Sequence, residues 1–268
     1  MIRLAKMVYT DFWSISNKLK LNRLKHERGG GERTVYPLDC GLKISLRFCD
    51  HIAQRLLLAH TYEPQVSAAL SRMVRPGMTV FDIGANIGVH TLHLAQLVGP
   101  TGQVMAVEPN PIAAQELQRN TFMNSLDNVT VLNIALSNHD GESEFCFPEE
   151  GNEAWGSLLS NARFKIASRH MVKTAKLDTV VTQLNIPHVD FIKIDVEGAE
   201  LYALEGAAAL LTTPLHPTIL YESNMNNCKP YSYTPEDLHQ FLRNKGYRIE
   251  TVDSEDFVAL PVNTADGR

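Results

Sequence analysis

Val80-Phe81-Asp82-Ile83-Gly84-Ala85-Asn86-Ile87-Gly88-Val89-His90-Thr91 is the stretch on which the fold turns. Met78 to Ile83 is a short apolar run, which reads as a buried strand. Ile87 to Val98 has helical spacing and stops at Gly99-Pro100. A strand, a glycine turn and a helix bring backbone N–H groups and a helix N-terminus to one point. Gly84 lets the backbone come close without a Cβ, and Gly88 lets the helix pack close to the strand. Asp82 ends the strand, where its carboxylate can accept from an amine or from the loop.

Spacing excludes two common nucleotide sites. A dinucleotide G-x-G-x-x-G beginning at Gly84 needs glycine at 86 and 89, where Asn86 and Val89 stand. A phosphate loop needs G-K-[S/T] after four spacers, and none is present. The D-x-G-x-x-x-G spacing fits an S-adenosylmethionine site, whose ligand is an amino acid joined to a nucleoside, with no phosphate to cradle.

The pattern continues on both sides. Strands are expected at 104–107, 129–135, 143–147, 171–176, 191–194 and 218–221, with a closing pair at 247–252 and 257–260. Helices are expected at 112–123, 178–184, 199–211 and 236–245. Asn110-Pro111 and Thr234-Pro235 form the starts of the first and last of these. Residues 35–50 suggest a strand pair turning near Gly41, and 51–75 read as helical with Pro64 at a helix start. Alternating strands and helices give an α/β fold with a mostly parallel sheet covered on both faces. Ligands then bind beyond the carboxyl ends of the strands. Glu108 stands at such an end, 20 residues beyond Gly88, where a carboxylate can take both ribose hydroxyls.

Charge divides the chain. Residues 1–33 carry eight Lys and Arg against three acids, a net of +5, which leaves -10 of the total -5 on the rest. An acidic body does not suit nucleic-acid wrapping. Leu4, Val8, Phe12, Ile15 and Leu19 recur at helical spacing, so residues 1–34 are expected to form a basic amphipathic arm before a domain at 35–268 with its core at 78–260. Such an arm either docks on its own domain or a neighbouring subunit, or meets a membrane surface or anionic partner. The four cysteines, Cys40, Cys49, Cys146 and Cys228, have neither zinc spacing nor a disulfide framework, and reduced thiols in a cytoplasmic protein are expected. No apolar run reaches the ~18 residues of a spanning helix.

The segments VFDIGANIGVHT (80–91), AVEPNP (106–111), NIALSNHDG (133–141), WGSL (155–158), LDTVV (177–181), DFIKIDVEGAELYALEGA (190–207) and LYES (220–223) resemble the FkbM family of class I S-adenosylmethionine-dependent methyltransferases. Tyr62-Glu63 also fits. The resemblance covers about residues 35–250 and implies a Rossmann-like seven-stranded sheet with an antiparallel last strand. It implies O-methylation of a hydroxyl on a sugar, glycolipid or natural product. It places Asp82, Gly84, Ala85 and Asn86 at the methionine end, Glu108 at the ribose and Ala135, Leu136 and Ser137 by the adenine. Glu63, Gly88 and Asn110 join the cofactor-binding set, and Asp195 faces the sulfonium.

Methyl transfer to a hydroxyl needs alignment and a group to take the acceptor proton. Asp195 and Glu222 end strands and can reach the cleft, and Glu197 follows closely. Glu197 and Glu200 open a helix, where acids favour the macrodipole, and for Glu200 that role suffices. No metal is expected, although Asp195 with Glu197 or Glu222 could offer oxygen ligands. His51, His60 and His90 read as surface or packing histidines. Asp195-Val196-Glu197-Gly198 replaces the [D/N]-P-P-[Y/F] that amine-directed enzymes carry there, which disfavours a planar amine acceptor. Trp155-Gly156-Ser157 is read as a loop closing over the site. The partner is therefore a small-molecule or glycan hydroxyl acceptor, not nucleic acid. A nicotinamide oxidoreductase and a non-catalytic nucleotide-binding module are the competing readings.

Overall fold

A computed structural model describes residues 33–47, 50–148, 156–159, 166–213 and 215–262. Residues 1–32 of the expected amphipathic arm lie outside the described residues, as does Trp155. A hairpin comes first: β1 (Arg33–Pro37) pairs antiparallel with β2 (Lys43–Arg47) through a turn in which Gly41 has a φ of +85°. The boundary expected after residue 34 thus falls inside β1. Arg33 forms an ion pair with Glu116 and fixes the hairpin to the body. Two helices follow, α1 (His51–Ala59) and α2 (Pro64–Met73), the second with proline in its first turn as expected.

The main sheet is built from β3 (Thr79–Ile83), β4 (Gln103–Val107), β5 (Val129–Leu132), β9 (Phe191–Ile194), β10 (Thr218–Glu222), β11 (Tyr247–Thr251) and β12 (Asp256–Pro261). Their order is β11-β12-β10-β9-β3-β4-β5. The first five in chain order are parallel, and β12 runs antiparallel to both its neighbours. Helices α3 (Val89–Val98) and α4 (Pro111–Met123) make the crossovers from β3 to β4 and β5. The strands alternate between two apolar layers. Phe81, Met105, Ile192 and Ile219 enter one core, while Val80, Val104, Phe191 and Leu220 enter the other.

One expected strand divides. Val129 to Ala135 breaks after Leu132, and β6 (Ala135–Leu136) joins a separate sheet with β7 (Gly141–Pro148) and β8 (Ile166–Ala175). The side-chain amide of Asn133 donates to the carbonyls of Glu108 and Pro109, which turns the chain off the main sheet. The helix expected at 199–211 divides too. After α5 (Leu177–Gln183) and β9, α6 spans only Glu200–Glu205, and a 3-10 turn follows at Leu210–Thr212. The Asp178 carboxylate accepts from the amides of Ala209 and Leu210 and so starts that second turn. The one-turn helix α7 (Met225–Cys228) has no counterpart in the sequence reading, whereas α8 (Pro235–Asn244) has the expected Thr234 cap, completed by Asp237.

The chain grows outward from β3 through β4 to β5, then crosses to β9 on the other side of β3. That reversal puts the topological switch between β3 and β9, where their carboxyl ends leave a crevice. At this point Gly84 has a φ of +80°, and a Cβ on it would lie 1.7 Å from the Asp195 carbonyl oxygen. Gly84→Ala therefore has to push two central strands apart. We expect it to cost about 3 kcal/mol of stability, measured by urea unfolding. A loss below about 0.5 kcal/mol would contradict the close approach.

Candidate active site

A cavity of about 580 Å³ opens at this switch point. Its walls come from the ends of β3, β4, β9 and β10, the start of α2, the short strand β6 and the β11–β12 turn. Ten of the residues assigned to the site from the sequence line it: Glu63, Gly84, Ala85, Asn86, Glu108, Ala135, Leu136, Asp195, Glu197 and Glu222.

Four others lie behind the wall. Asp82 is fully buried. Strand pleating turns it away from the cavity, to accept from Thr91 Oγ1 at 2.6 Å and to sit 3.5 Å from Lys193 Nζ. Gly88, with a φ of +99°, makes room for α4 rather than for the strand, since a Cβ there would lie 2.5 Å from the Leu117 side chain. The Asn110 side chain caps α4 by accepting from the Ile112 amide at 3.0 Å. Ser137 is buried, its amide bonded to the Ala175 carbonyl at 3.0 Å and its own carbonyl facing Gly206. These four stand outside the cavity lining and shape it from behind.

Glu108 is only 6% exposed. Its Oε2 accepts from the Asn86 amide at 2.8 Å and its Oε1 from the Asn110 amide at 2.8 Å. Asn86 itself is left-handed, with a φ of +49°. Two backbone donors thus fix the carboxylate plane, and the second lone pair of each oxygen can serve a ligand. Burial raises its pKa to about 7 despite those two bonds. Ala135, Leu136, Phe145 and Leu158 add apolar surface to the same cavity, of the kind that would receive a flat ring.

Lys193 is the group that sequence reasoning missed. It stands in β9 directly beside Asp82 of β3, so strand register alone makes the pair. Its Nζ lies 3.5 Å from both Asp82 Oδ1 and Asp195 Oδ2. Burial works against its charge, but Asp82, Asp195, Glu63 and Asp256 together hold its pKa above the ordinary lysine value. A charged residue inside a four-residue strand buried along its whole length was the available signal.

The sequence reads His90 as a surface or packing histidine. It is buried, and its Nε2 lies 2.7 Å from Glu63 Oε2. Glu63, left-handed at φ +43°, precedes α2 and is held over the cavity by this contact. Burial opposes its ionisation, yet the His90 bond and charge, with Lys193, lower its pKa to about 2. Asp195 goes the other way. Burial, aided by the Glu63 and Asp82 charges, raises it against the pull of Lys193 and His90. Glu200 does not line the cavity. It stands first in α6, as expected of it, and accepts from the amides of Val196 and Gly198, which closes the loop after β9. Ser157 reaches the same loop, donating to the Glu197 carbonyl at 3.0 Å, which places the 156–159 segment against the site. Among the described residues no group of three or more His, Cys, Asp or Glu is arranged to hold a metal ion.

These shifts set the pH dependence of stability. Glu108, at about 7, and Asp256, raised by burial to about 8, keep their protons in the native state after the unfolded chain has lost them near pH 4. The native state then binds more protons, so stability falls as pH rises through this window. For Glu108 the loss is about 3 kcal/mol. Glu63 acts in reverse, and its contribution disappears as pH falls from about 4 towards 2. The thermal midpoint of the cofactor-free protein should therefore decline from about pH 5.5 to about pH 8.5. Glu108→Gln should flatten that decline, and an unchanged slope would rule out the assignment.

The set fits S-adenosylmethionine: a bare glycine turn, a carboxylate held for two ribose hydroxyls, apolar surface and acids where an ammonium would sit. The Methyltransferase FkbM domain profile matches residues 82–249, more than half of the chain. Methyltransferase sdnD of Sordaria araneosa is 29% identical over 197 residues, 63% of this chain and 73% of that protein. The 2-O-methyltransferase NoeI of Sinorhizobium fredii is 29% identical over 156 residues, 53% and 63% of the two chains. Hexuronic acid methyltransferase AglP of Haloferax volcanii is 29% identical over 129 residues, 47% and 48%. The matched part thus spans less than two thirds of NoeI and about half of AglP. Among solved structures, cofactor-bound Rv0187 from MTB is 14% identical with a TM-score of 0.48, covering 76% of this chain and 82% of that one. The strand order, the glycine turn at the switch point and the profile match lead to one conclusion: the chain belongs to the FkbM family of methyltransferases.

Proposed function

We propose that the protein is an O-methyltransferase acting on a hydroxyl of a sugar, glycolipid or secondary metabolite. The observation that carries this reading is Asp195. It ends β9 across the switch point from Gly84, lines the cavity, and has a pKa raised above the carboxylate range. S-adenosylmethionine, when bound, supplies an electrophilic methyl group on sulfur. Gly84, Ala85 and Asn86 would hold its methionine end, Glu108 its ribose, and Ala135 with Leu136 its base. Asp195 accepts the acceptor hydroxyl proton as the oxygen becomes nucleophilic. Lys193, 3.5 Å away, keeps Asp195 oriented and stabilises its ionised form. The relative named as a 2-O-methyltransferase supports transfer to oxygen, and the one named as a hexuronic acid methyltransferase supports a saccharide acceptor.

The test is direct. Purified protein is titrated with S-adenosylmethionine, then incubated with tritiated cofactor and a panel of glycosides, glycolipids and phenols. Products are read by mass spectrometry for one added methyl. Cofactor binding without transfer to any hydroxyl would reject O-methylation.

A further inference from the structure

The acids at the acceptor end are organised by a residue outside the cavity. Asn227, 1% exposed on the one-turn helix α7, lies behind Glu197 and Glu222. Its Nδ2 donates to Glu197 Oε2 at 3.0 Å and to Glu222 Oε2 at 2.8 Å. The amide orientation is fixed by charge, because the opposite one would aim its oxygen at two carboxylates. Asn227 Oδ1 meanwhile is buried with no hydrogen-bond partner among the described residues, a cost that the two charge-assisted bonds must offset. The neighbouring Asn224 donates to the other oxygen of Glu222 at 3.2 Å. The loop bearing Glu197 is equally constrained. Glu197 is left-handed at φ +54°, and Gly198 at +106° has no room for a Cβ, which would lie 2.2 Å from the Asn227 carbonyl. Ser157, Glu200 and Tyr233 each bond the backbone of this loop. Backbone held this firmly in an unfavourable region points to function.

Resting on the O-methyltransferase reading, we infer that Glu197 and Glu222, set side by side by Asn227, form an acceptor subsite for two adjacent hydroxyls of a saccharide. A carboxylate oxygen that takes one amide hydrogen can still accept from a hydroxyl. Glu108 offers the same chemistry at the opposite end of the cavity, where one strand-end acid faces a ribose diol. Asn227 is a positioning residue: it touches the two acids and not the substrate.

The experiment uses the full chain saturated with S-adenosylhomocysteine. The probes are methyl glycosides carrying adjacent hydroxyls, each paired with its monodeoxy analogue, and binding is read by saturation-transfer NMR. The wild type is expected to bind at least one diol glycoside, at least about tenfold more tightly than its monodeoxy analogue. Asn227→Asp, which turns two donors into acceptors, should weaken glycoside binding at least about tenfold while S-adenosylhomocysteine affinity stays within about twofold. Glu222→Gln, at the cavity surface, should do the same and covers the case in which Asn227→Asp does not fold. Parallel loss of both ligands in Asn227→Asp would make Asn227 merely structural and overturn its positioning role. Equal binding of diol and monodeoxy probes, unchanged binding in Glu222→Gln, or no glycoside binding beside intact S-adenosylhomocysteine binding would overturn the subsite and leave the methyltransferase reading standing. Failure of the wild type to bind S-adenosylhomocysteine would instead strike that reading.

Discussion

Glu108→Ala is expected to weaken S-adenosylmethionine binding by about a hundredfold to ten-thousandfold, measured by isothermal titration calorimetry. The range follows from two hydroxyl-to-carboxylate bonds at about 1.5–3 kcal/mol each. The protein reinforces the loss, because the amides of Asn86 and Asn110 both end on this carboxylate and lose their acceptor together. Glu108→Gln is not a mild control. It puts an NH2 against one of two backbone donors, so it should lose at least about tenfold. The raised pKa, about 7, adds a pH signature with a definite sign. Only the ionised carboxylate accepts from both hydroxyls and both amides, so affinity should fall by up to about tenfold for each pH unit below 7. In Glu108→Gln that dependence should vanish. Affinity within about threefold of wild type in the alanine variant would show that the ribose lies elsewhere. A dinucleotide would not be rescued by any of these variants, because Asn86 and Val89 stand where its fingerprint needs glycine.

Much of this site was legible before the structure, and the reason is local. Parallel strands buried on both faces read as unbroken apolar runs, so β3, β4, β9 and β10 were readable with their ends, and the residues just past those ends line the cavity. What escaped depends on contacts between distant segments. The break before β6 is made by Asn133 bonding back to the Glu108 and Pro109 carbonyls. The second start after α6 is made by Asp178, some thirty residues earlier. Asp82 reads as a site acid because it precedes the glycine turn, but register sets it against Lys193. Asn227 sits on a four-residue helix, too short to show any periodicity, and its role exists only because β9 and β10 are neighbours.

Asp195→Asn should reduce the turnover number about a hundredfold to ten-thousandfold, the usual contribution of a positioned base, with S-adenosylmethionine affinity changed by less than about threefold. The split is the informative part. Asparagine keeps the shape of the side chain and can still contact a bound cofactor, but it cannot take a proton. Were Asp195 chiefly a cofactor ligand, affinity would fall instead and turnover at saturation would survive. The pH–rate profile tests the same assignment through its neighbours. Burial and the charges of Glu63 and Asp82 raise Asp195, so its rate limb should lie above the ordinary carboxylate range, with activity rising as pH rises through it. Glu63→Gln removes one of the charges that raise it, and should move that limb to lower pH. In Asp195→Asn the limb should disappear from the residual activity. A limb that stays in place in both variants would transfer the proton to another group, with Glu222 the next carboxylate on the wall of the cavity.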